Sequence, residues 1–228
     1  MKDSVLVILP VYNEHHATVE ACLSAVAGLG FATLVVDDGS DRPFTPVPRP
    51  RQWLLRHPIN LGQGAALQTG MEWAARRSEF SVVVHFDADG QHDPASIESL
   101  LLPLFAGQAD VVFGSRFLRR EDARRIPFVR RTVLRLGRLF NRISTRVPMT
   151  DAHIGLRAMS RGAYTQIRLR ENRMAHATEL VWQVRRERLR WMEVPVLVTY
   201  SAYSVAKGQS SWNAFKIASD VLLRLLYP

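Results

Sequence analysis

The chain of 228 residues is long enough for one large α/β domain or two small ones. Its hydrophobic content of 47% and charged content of 22% are ordinary for a globular protein and argue against a disordered chain. The single cysteine, Cys22, excludes an internal disulfide and a cysteine metal cage. No apolar run approaches the ~18 residues that a membrane-spanning helix requires.

The net charge of +9 is concentrated in one segment. Between Arg116 and Arg146 the chain carries eleven arginines against two acids, a difference that equals the net charge of the whole chain. The rest of the chain is balanced, so the basic character is local. Such a segment can bind nucleic acid, anionic lipid headgroups or a phosphorylated substrate.

Predicted strands and helices alternate along the first half of the chain. Apolar runs rich in β-branched residues predict the strands, and apolar residues at helical spacing predict the helices. In chain order we predict a strand at 4–9 ended by Pro10, a helix at 15–27, strands at 33–36 and 53–55, a helix at 64–77, a strand at 81–86, a helix at 94–105 and a strand at 110–113. This alternation predicts an α/β fold with a mainly parallel sheet.

The pattern changes after Phe113. Residues 131–147 predict an amphipathic helix with one arginine face and one apolar face. The remaining predicted elements are helices at 160–167 and 178–188, a strand at 192–200 and a helix at 211–226. Because no internal repeat or clear linker is present, we predict one domain over 1–228, with a core at about 4–200 and a C-terminal amphipathic extension at 201–228.

The segment Asp87-Ala88-Asp89-Gly90-Gln91 directly follows the predicted strand at 81–86. Ligands of α/β sheets bind outside the carboxyl ends of the strands. Carboxylates two residues apart on an extended chain point the same way, so both can face one hard cation. The alternative is a polar turn between a strand and a helix, because Asp and Gly are common turn residues.

Six loop motifs follow one another along the chain, and all but the last two fall at the end of a strand or just before a helix. They are Pro10-Val11-Tyr12-Asn13-Glu14, Asp37-Asp38-Gly39-Ser40, Asn60-Leu61-Gly62-Gln63-Gly64, Asp87-Ala88-Asp89-Gly90-Gln91, Gly114-Ser115-Arg116 and Thr150-Asp151-Ala152-His153-Ile154-Gly155. Together they resemble family 2 glycosyltransferases of the GT-A fold. Within that family the chain looks most similar to the dolichyl-phosphate mannosyltransferase and polyprenyl-phosphate glycosyltransferase branch. The resemblance covers about residues 4–200.

The resemblance implies a donor site for a nucleotide sugar. The matching metal-binding residues are Asp87, Asp89 and Gln91, all with oxygen ligands of the kind that Mg²⁺ or Mn²⁺ prefers. The matching residues of the nucleobase and ribose pocket are Pro10, Tyr12, Glu14 and Asp38, with Asp37 and Asp87 beside them. Departure of a diphosphate leaving group calls for a divalent cation, so the chemistry agrees with the resemblance.

The resemblance also implies an acceptor site for a lipid phosphate. Arg116 matches it best, with Arg130 and Arg131 as further candidates, and a guanidinium can hold a phosphate bidentately. Asp151 matches the acidic residue that the family places near the acceptor, often discussed as a catalytic base. A hydroxyl acceptor needs such a base. A phosphate with a second pKa near ~6 is already largely a dianion, and Asp151 then orients the donor sugar or takes a late proton.

We therefore expect an inverting, metal-dependent sugar transfer from a UDP- or GDP-sugar to a polyprenyl or dolichyl phosphate. One displacement needs no protein nucleophile. The alternative acceptor is a hydroxyl of a glycan or glycolipid of the cell envelope. A nucleotidyltransferase lacks support because its Gly-rich, basic N-terminal loop is absent, and a nucleic-acid-binding protein would leave the strand-end acids unexplained.

The expected location is the cytoplasmic face of the membrane, with the chain bound peripherally. The basic helix and the apolar-rich C-terminal helix suit an enzyme whose substrate tail stays in the bilayer. A separate small membrane protein is the alternative anchor, with residues 211–226 as its docking element. A third possibility is that this helix covers the sheet of its own domain.

Overall fold

The computed structural model describes residues 2–118, 147–151, 154–173 and 175–199. The predicted C-terminal helix at 211–226 lies outside these residues, as does the predicted basic helix at 131–147 apart from its last residue. Arg130 and Arg131 also lie outside them. Among the residues described, no helix is long and apolar enough to cross a membrane.

Seven strands form one sheet in the described part of the chain. They are β1 (Val5–Val11), β2 (Ala32–Asp37), β3 (Gln52–Arg56), β4 (Val82–His85), β5 (Val111–Ser115), β6 (Arg157–Ser160) and β7 (Trp191–Pro195). Their order across the sheet is β3-β2-β1-β4-β6-β5-β7. β6 is antiparallel to both of its neighbours, and all other pairings are parallel.

Helices cover both faces of the sheet. They are α1 (His16–Gly28), α2 (Gln63–Ala75), α3 (Ser96–Phe105), α4 (Arg161–Tyr164) and α5 (His176–Arg186). Alternate residues of β1 point to opposite faces, so Val5 and Val7 join the core under α1 and α3, while Leu6 and Ile8 join the core under α2, α4 and α5. Strands buried on both faces read as continuous apolar runs, which is why the sequence predicts them well.

Gly70 allows α2 to pack closely on the sheet. A Cβ atom at this position would lie 2.5 Å from Cγ2 of Ile8 on β1, closer than real Cβ contacts occur. The small residue therefore sets the distance between α2 and β1, and with it the position of the loop that precedes α2.

The predicted α/β class with a mainly parallel sheet is confirmed. Several local predictions differ from the structure, and among them the strand predicted at 192–200 ends at Pro195. β1 does not end at Pro10, because Pro10 stays in the strand opposite Val36 and the pairing continues to Val11. No strand is predicted at β6, whose four residues pair antiparallel between β4 and β5. Its last residue, Ser160, is also the N-cap of α4, so the helix predicted from residue 160 begins there but ends at Tyr164.

Candidate active site

The predicted site loops meet at one edge of the sheet. β1, β2, β4 and β5 end at this edge, and the antiparallel β6 begins there. Chain connections also reverse direction at β1, since β2 lies on one side of it and β4 on the other. Ligands of open α/β sheets bind in the crevice at such a point, so the loops after β1 and β4 flank it.

Asp37, the last residue of β2, shapes the loop that follows it. Its Oδ1 accepts a hydrogen bond from the N–H of Ser40 at 3.0 Å, and its Oδ2 accepts one from the N–H of Phe44 at 3.1 Å. Arg56 Nε lies 3.7 Å from the same Oδ2. The residue is fully buried. These bonds tie the carboxylate to its own loop, and its share in the nucleotide pocket stays a prediction.

Asp38 connects the loop after β2 to the loop before α2. Its Oδ1 lies 2.7 Å from His57 Nδ1 and accepts the N–H of Leu61 at 3.0 Å. Its Oδ2 accepts the side-chain amide of Asn60 at 3.0 Å and the N–H of Gly62 at 2.7 Å. With four partners on two oxygens, this buried carboxylate holds residues 60–62 in place beside the crevice.

The loop after β1 is fastened to the loop after β2. Asn13 donates its N–H to Ser40 Oγ at 2.9 Å, and its side chain exchanges two hydrogen bonds of 3.0 Å with Asp41. In this arrangement Tyr12 is 43% exposed to solvent and Glu14 is half-buried. Both side chains are accessible to a ligand, as a nucleoside pocket requires.

Asp87 stands at the centre of the edge, two residues beyond the end of β4. Its Oδ1 accepts the side-chain amide of Gln63, at the start of α2, at 2.7 Å. Its Oδ2 lies 3.8 Å from His92 Nε2. Gly155 packs directly on the carboxylate, since a Cβ there would lie 1.7 Å from Oδ2. Side chains and a glycine surround this carboxylate, in contrast to the backbone N–H groups around Asp38.

Asp87 and Asp89 have pKa values shifted in opposite directions. Burial acts to raise the pKa of Asp87, but the hydrogen bond and charge of His92, together with the charge of Arg157, bring it below its usual range. Burial and the negative charge of Asp87 raise the pKa of Asp89 above its usual range. The pair therefore concentrates negative charge that a bound cation would offset.

The donor set of this loop fits a hard divalent cation. Asp89 accepts the backbone N–H of Gln91 at 2.9 Å and an N–H of the Gln91 side-chain amide, so Gln91 is tied to this carboxylate. No group of three or more His, Cys, Asp or Glu side chains that could hold a metal occurs in the described ranges. Mg²⁺ commonly takes one or two carboxylates and completes its shell with water and substrate phosphates, which agrees with the two carboxylates here.

Arg116 and Asp151 form a buried two-bonded ion pair. Arg116 Nε donates to Oδ2 of Asp151 at 2.6 Å, and Nη2 donates to Oδ1 at 2.7 Å. The backbone N–H of Arg116 also donates to Oδ2, at 3.1 Å. Both oxygens of Asp151 are thus engaged by Arg116, and the carboxylate fixes the plane of the guanidinium. The role of Asp151 as a catalytic base stays a prediction.

Arg157, the first residue of β6, is a further charged residue at this edge of the sheet, and no sequence motif marks it. Its side chain is 2% exposed, and Nε donates to the carbonyl of Ile154 at 2.8 Å. Burial lowers its pKa to about 10, while the charges of Asp87 and Asp151 act in the opposite direction. Arg157 therefore places one positive charge between the two carboxylates that flank the crevice.

Several polar atoms beneath the crevice have no hydrogen-bond partner among the described residues. They are both ring nitrogens of His85, Nδ1 of His92 and Nη1 of Arg157. His85 lies opposite Arg157 in the β4–β6 pairing. Burial and the neighbouring guanidinium lower the pKa of His85 well below its usual range, so the ring is neutral at pH 7. Unpaired buried polar groups of this kind are uncommon in native proteins.

Comparison with known proteins identifies relatives over most of the chain. Residues 6–168 match the family described as Glycosyl transferase family 2. The chain is 31% identical over 172 residues to the UDP-N-acetylglucosamine–dolichyl-phosphate N-acetylglucosaminyltransferase of Methanococcus voltae, covering 74% of this chain and 68% of that one. It is 29% identical over 228 residues to the polyprenol monophosphomannose synthase of Mycolicibacterium smegmatis, covering 90% and 81%.

A solved structure shares the fold. The glucosyl-3-phosphoglycerate synthase of Mycobacterium tuberculosis, solved with Mn²⁺, UDP and glucosyl-3-phosphoglycerate, superposes with a TM-score of 0.72 at 20% identity. The match covers 98% of this chain and 79% of the synthase. The predicted GT-A fold is confirmed.

Proposed function

The chain belongs to glycosyl transferase family 2 and is a glycosyltransferase, and we propose that it moves a sugar from a nucleoside-diphosphate sugar to a polyprenyl phosphate. The observation that carries this proposal is the charge arrangement at one sheet edge. Asp87 and Asp89 follow β4, while the clamped Arg116 follows β5. The carboxylates suit a cation that holds a diphosphate, and the guanidinium suits the phosphate of an acceptor.

Asp87 and Asp89 would hold a divalent cation for the donor diphosphate, with Gln91 as a third ligand. When bound, Mg²⁺ or Mn²⁺ takes up the negative charge that develops on the leaving diphosphate. Pro10, Tyr12 and Glu14 line the nucleoside pocket. Asp37 and Asp38 support that pocket by holding the loops around it, which follows from the number of backbone N–H groups they accept.

The acceptor phosphate binds at Arg116, and Arg130 and Arg131 extend this site. A phosphate monoester is largely dianionic at neutral pH because its second pKa is near ~6, so its oxygen can attack without a protein base. The attack comes from the face opposite the leaving diphosphate and inverts the anomeric carbon. Asp151 then serves to orient Arg116, since both of its oxygens are bound to that guanidinium.

We propose that the enzyme works peripherally at the cytoplasmic face of the membrane, where a polyprenyl tail stays in the bilayer. The arginines between Arg116 and Arg146 supply the attraction to anionic headgroups. A small membrane protein that binds residues 211–226 is the alternative anchor. Two polyprenyl- and dolichyl-phosphate enzymes among the relatives support the lipid acceptor.

Two measurements on the full-length chain test this function. Thermal shifts with Mn²⁺ across UDP-, GDP- and dTDP-sugars identify the donor, and transfer is then compared between a short polyprenyl phosphate and the matching polyprenol. We expect stabilisation by one donor class and transfer to the phosphate only. Absence of a shift with every donor, or equal transfer to the polyprenol, would contradict the proposal.

The acceptor role of Arg116 is tested with a charge-conserving variant. Arg116→Lys keeps a positive charge but loses the planar fork, so we expect the KM for polyprenyl phosphate to rise about tenfold, with donor binding retained. The matched control is Arg190→Lys. Arg190 forms the same two-bonded pair with Asp110 at the opposite edge of the sheet, through Nε at 3.0 Å and Nη2 at 2.7 Å. An unchanged acceptor KM in Arg116→Lys refutes the assignment.

Asp151→Asn separates orientation from base catalysis. If Asp151 orients Arg116, the variant raises the acceptor KM and largely keeps kcat. A collapse of kcat at saturating acceptor identifies Asp151 as a base and favours a hydroxyl acceptor, particularly if Arg116→Lys has no effect. Initial rates over a range of acceptor concentrations distinguish the two results.

A further inference from the structure

Glu193, in the middle of β7, holds the segment that carries Asp151. Both of its carboxylate oxygens lie 2.9 Å from the backbone nitrogen of Thr150, which donates to them. Its Oε1 also accepts the Thr150 hydroxyl at 2.8 Å and the N–H of Asp151 at 2.9 Å. One half-buried carboxylate thus captures two successive backbone N–H groups and a hydroxyl.

Two routes lead from this carboxylate to Arg116. The first passes through Asp151, whose backbone is held by Glu193 and whose side chain clamps the guanidinium. The second passes through Thr150, whose hydroxyl lies 2.6 Å from Ser115 Oγ. Ser115 directly precedes Arg116, and its Oγ also accepts the N–H of Phe117, the residue after Arg116, at 3.1 Å. Hydrogen bonds therefore connect Glu193 to both the backbone and the side chain of Arg116.

The Glu193 carboxylate is well suited to fix the Thr150–Asp151 turn in position. Hydrogen bonds from N–H groups to a carboxylate are shorter and stronger than bonds between neutral groups. Glu193 sits in β7 opposite Phe113 of β5, so its backbone is fixed by the sheet. Residues built on strands position a site more accurately than residues on loops, and the 147–151 segment is a loop.

We propose that Glu193 is a positioning residue for the acceptor: it fixes the turn at Thr150 and Asp151, and through them the guanidinium that binds the acceptor phosphate. This inference rests on the proposed role of Arg116. Glu193 itself does not contact the substrate. Its loss should therefore weaken acceptor binding and leave the donor half of the site, after β1 and β4, intact.

The test compares Glu193→Ala and Glu193→Gln in the full-length chain. The alanine variant removes every hydrogen bond to the turn, whereas glutamine keeps the shape and one acceptor oxygen. Asp110→Asn is the matched control, because Asp110 also joins β5 to β7 by accepting a backbone N–H, that of Arg190 at 2.9 Å, at the opposite edge of the sheet. The measurements are the KM for polyprenyl phosphate, kcat, and the affinity for Mn²⁺ with the nucleoside diphosphate.

We expect the acceptor KM to rise about tenfold in Glu193→Ala and by less in Glu193→Gln, with donor affinity unchanged within about twofold. Asp110→Asn should leave all three values unchanged. An unchanged acceptor KM in both Glu193 variants, or an equal loss of donor and acceptor binding, overturns the inference. If Glu193→Ala does not fold, the Glu193→Gln result decides. An unchanged KM in Arg116→Lys refutes instead the proposed function on which the inference rests.

Discussion

Asp38 and Asp87 both carry carboxylates just beyond the end of a strand, but their hydrogen-bond donors differ. Asp38 receives hydrogen bonds from two backbone N–H groups and two side chains. Asp87 meets the Gln63 amide and His92. Backbone donors cannot leave without unfolding a loop, whereas side chains can turn away when a ligand arrives. This difference supports our proposal that Asp87, and not Asp38, exchanges its partners for a cation.

Gly155 leaves the space that the Asp87 carboxylate occupies. In Gly155→Ala the new Cβ would lie 1.7 Å from Oδ2 of Asp87 and 2.6 Å from Oδ1, so the carboxylate must move. Because a misplacement of about 1 Å in an active site can lower turnover about a hundredfold, we expect a fall in kcat of that order. The stabilisation by Mn²⁺ with the nucleoside diphosphate should disappear in a thermal-shift measurement.

Gly162→Ala is the control for this substitution. A Cβ at Gly162, in the short helix α4, meets nothing within 4 Å. Alanine is also the better helix former by roughly 0.5–1 kcal/mol, so the control should keep its activity and its ligand response. Normal Mn²⁺ and nucleotide binding by Gly155→Ala would show that the Asp87 carboxylate is not needed where the structure places it.

Sequence reasoning found the residues whose role follows from their place in the chain. Asp38, Asp87 and Arg116 each follow an apolar strand, and the carboxyl ends of parallel strands meet at one edge. Arg157 and Glu193 were not predicted as site residues, because no motif lies near either of them in the sequence. Thr150 and Asp151, the partners of Glu193, lie 43 and 42 residues before it, and Arg157 faces His85 across the β4–β6 pair, so only the three-dimensional structure discloses these contacts.

Among the elements, β6 is the strand that the apolar pattern of the sequence does not predict. This strand has four residues, begins with a buried arginine and pairs antiparallel with two strands that are distant in sequence. Short strands without alternation carry little local signal. The longer runs of β1 and β2 were predicted almost to their ends because burial on both faces makes them continuously apolar.

β7 is the outermost strand of the sheet, and Asp110 joins the beginning of β7 to the beginning of β5. The hydrogen bond from Arg190 lowers the pKa of Asp110, so the bond stabilises the fold above the ordinary pKa of an aspartate and is lost as the pH falls through the lower folded value. Asp110→Asn should therefore lower the free energy of unfolding only modestly at pH 7, because the Arg190 side chain is largely exposed to solvent. Urea unfolding at a series of pH values measures the difference.

Urea unfolding at a series of pH values also tests whether the ionised Asp110–Arg190 pair is the cause of the stabilisation. The gap between the wild type and Asp110→Asn should shrink as the pH drops below about 4, because the wild-type carboxyl then takes up a proton. A gap that stays constant down to about pH 2 would mean that the ionised pair does not stabilise the attachment of β7.

For the whole molecule, one sheet edge brings together groups from the entire described chain. The donor half that we propose consists of the loops after β1, β2 and β4, and the proposed acceptor half consists of the loop after β5, the 150–151 turn and β7. Arg157 on β6 lies between the two halves. The transfer that we propose needs this neighbourhood, because donor carbon and acceptor oxygen must meet at one point.

The most direct test is the mass of the lipid product. The full-length chain is incubated with Mn²⁺, the nucleotide sugar selected by thermal shift and a short polyprenyl phosphate, and the lipid fraction is analysed by mass spectrometry. Our account predicts a polyprenyl-phosphate sugar formed in equal amount to the released nucleoside diphosphate, with an inverted anomeric centre. Release of nucleoside diphosphate without a glycosylated lipid phosphate, or sugar found only on hydroxyl acceptors, would contradict it.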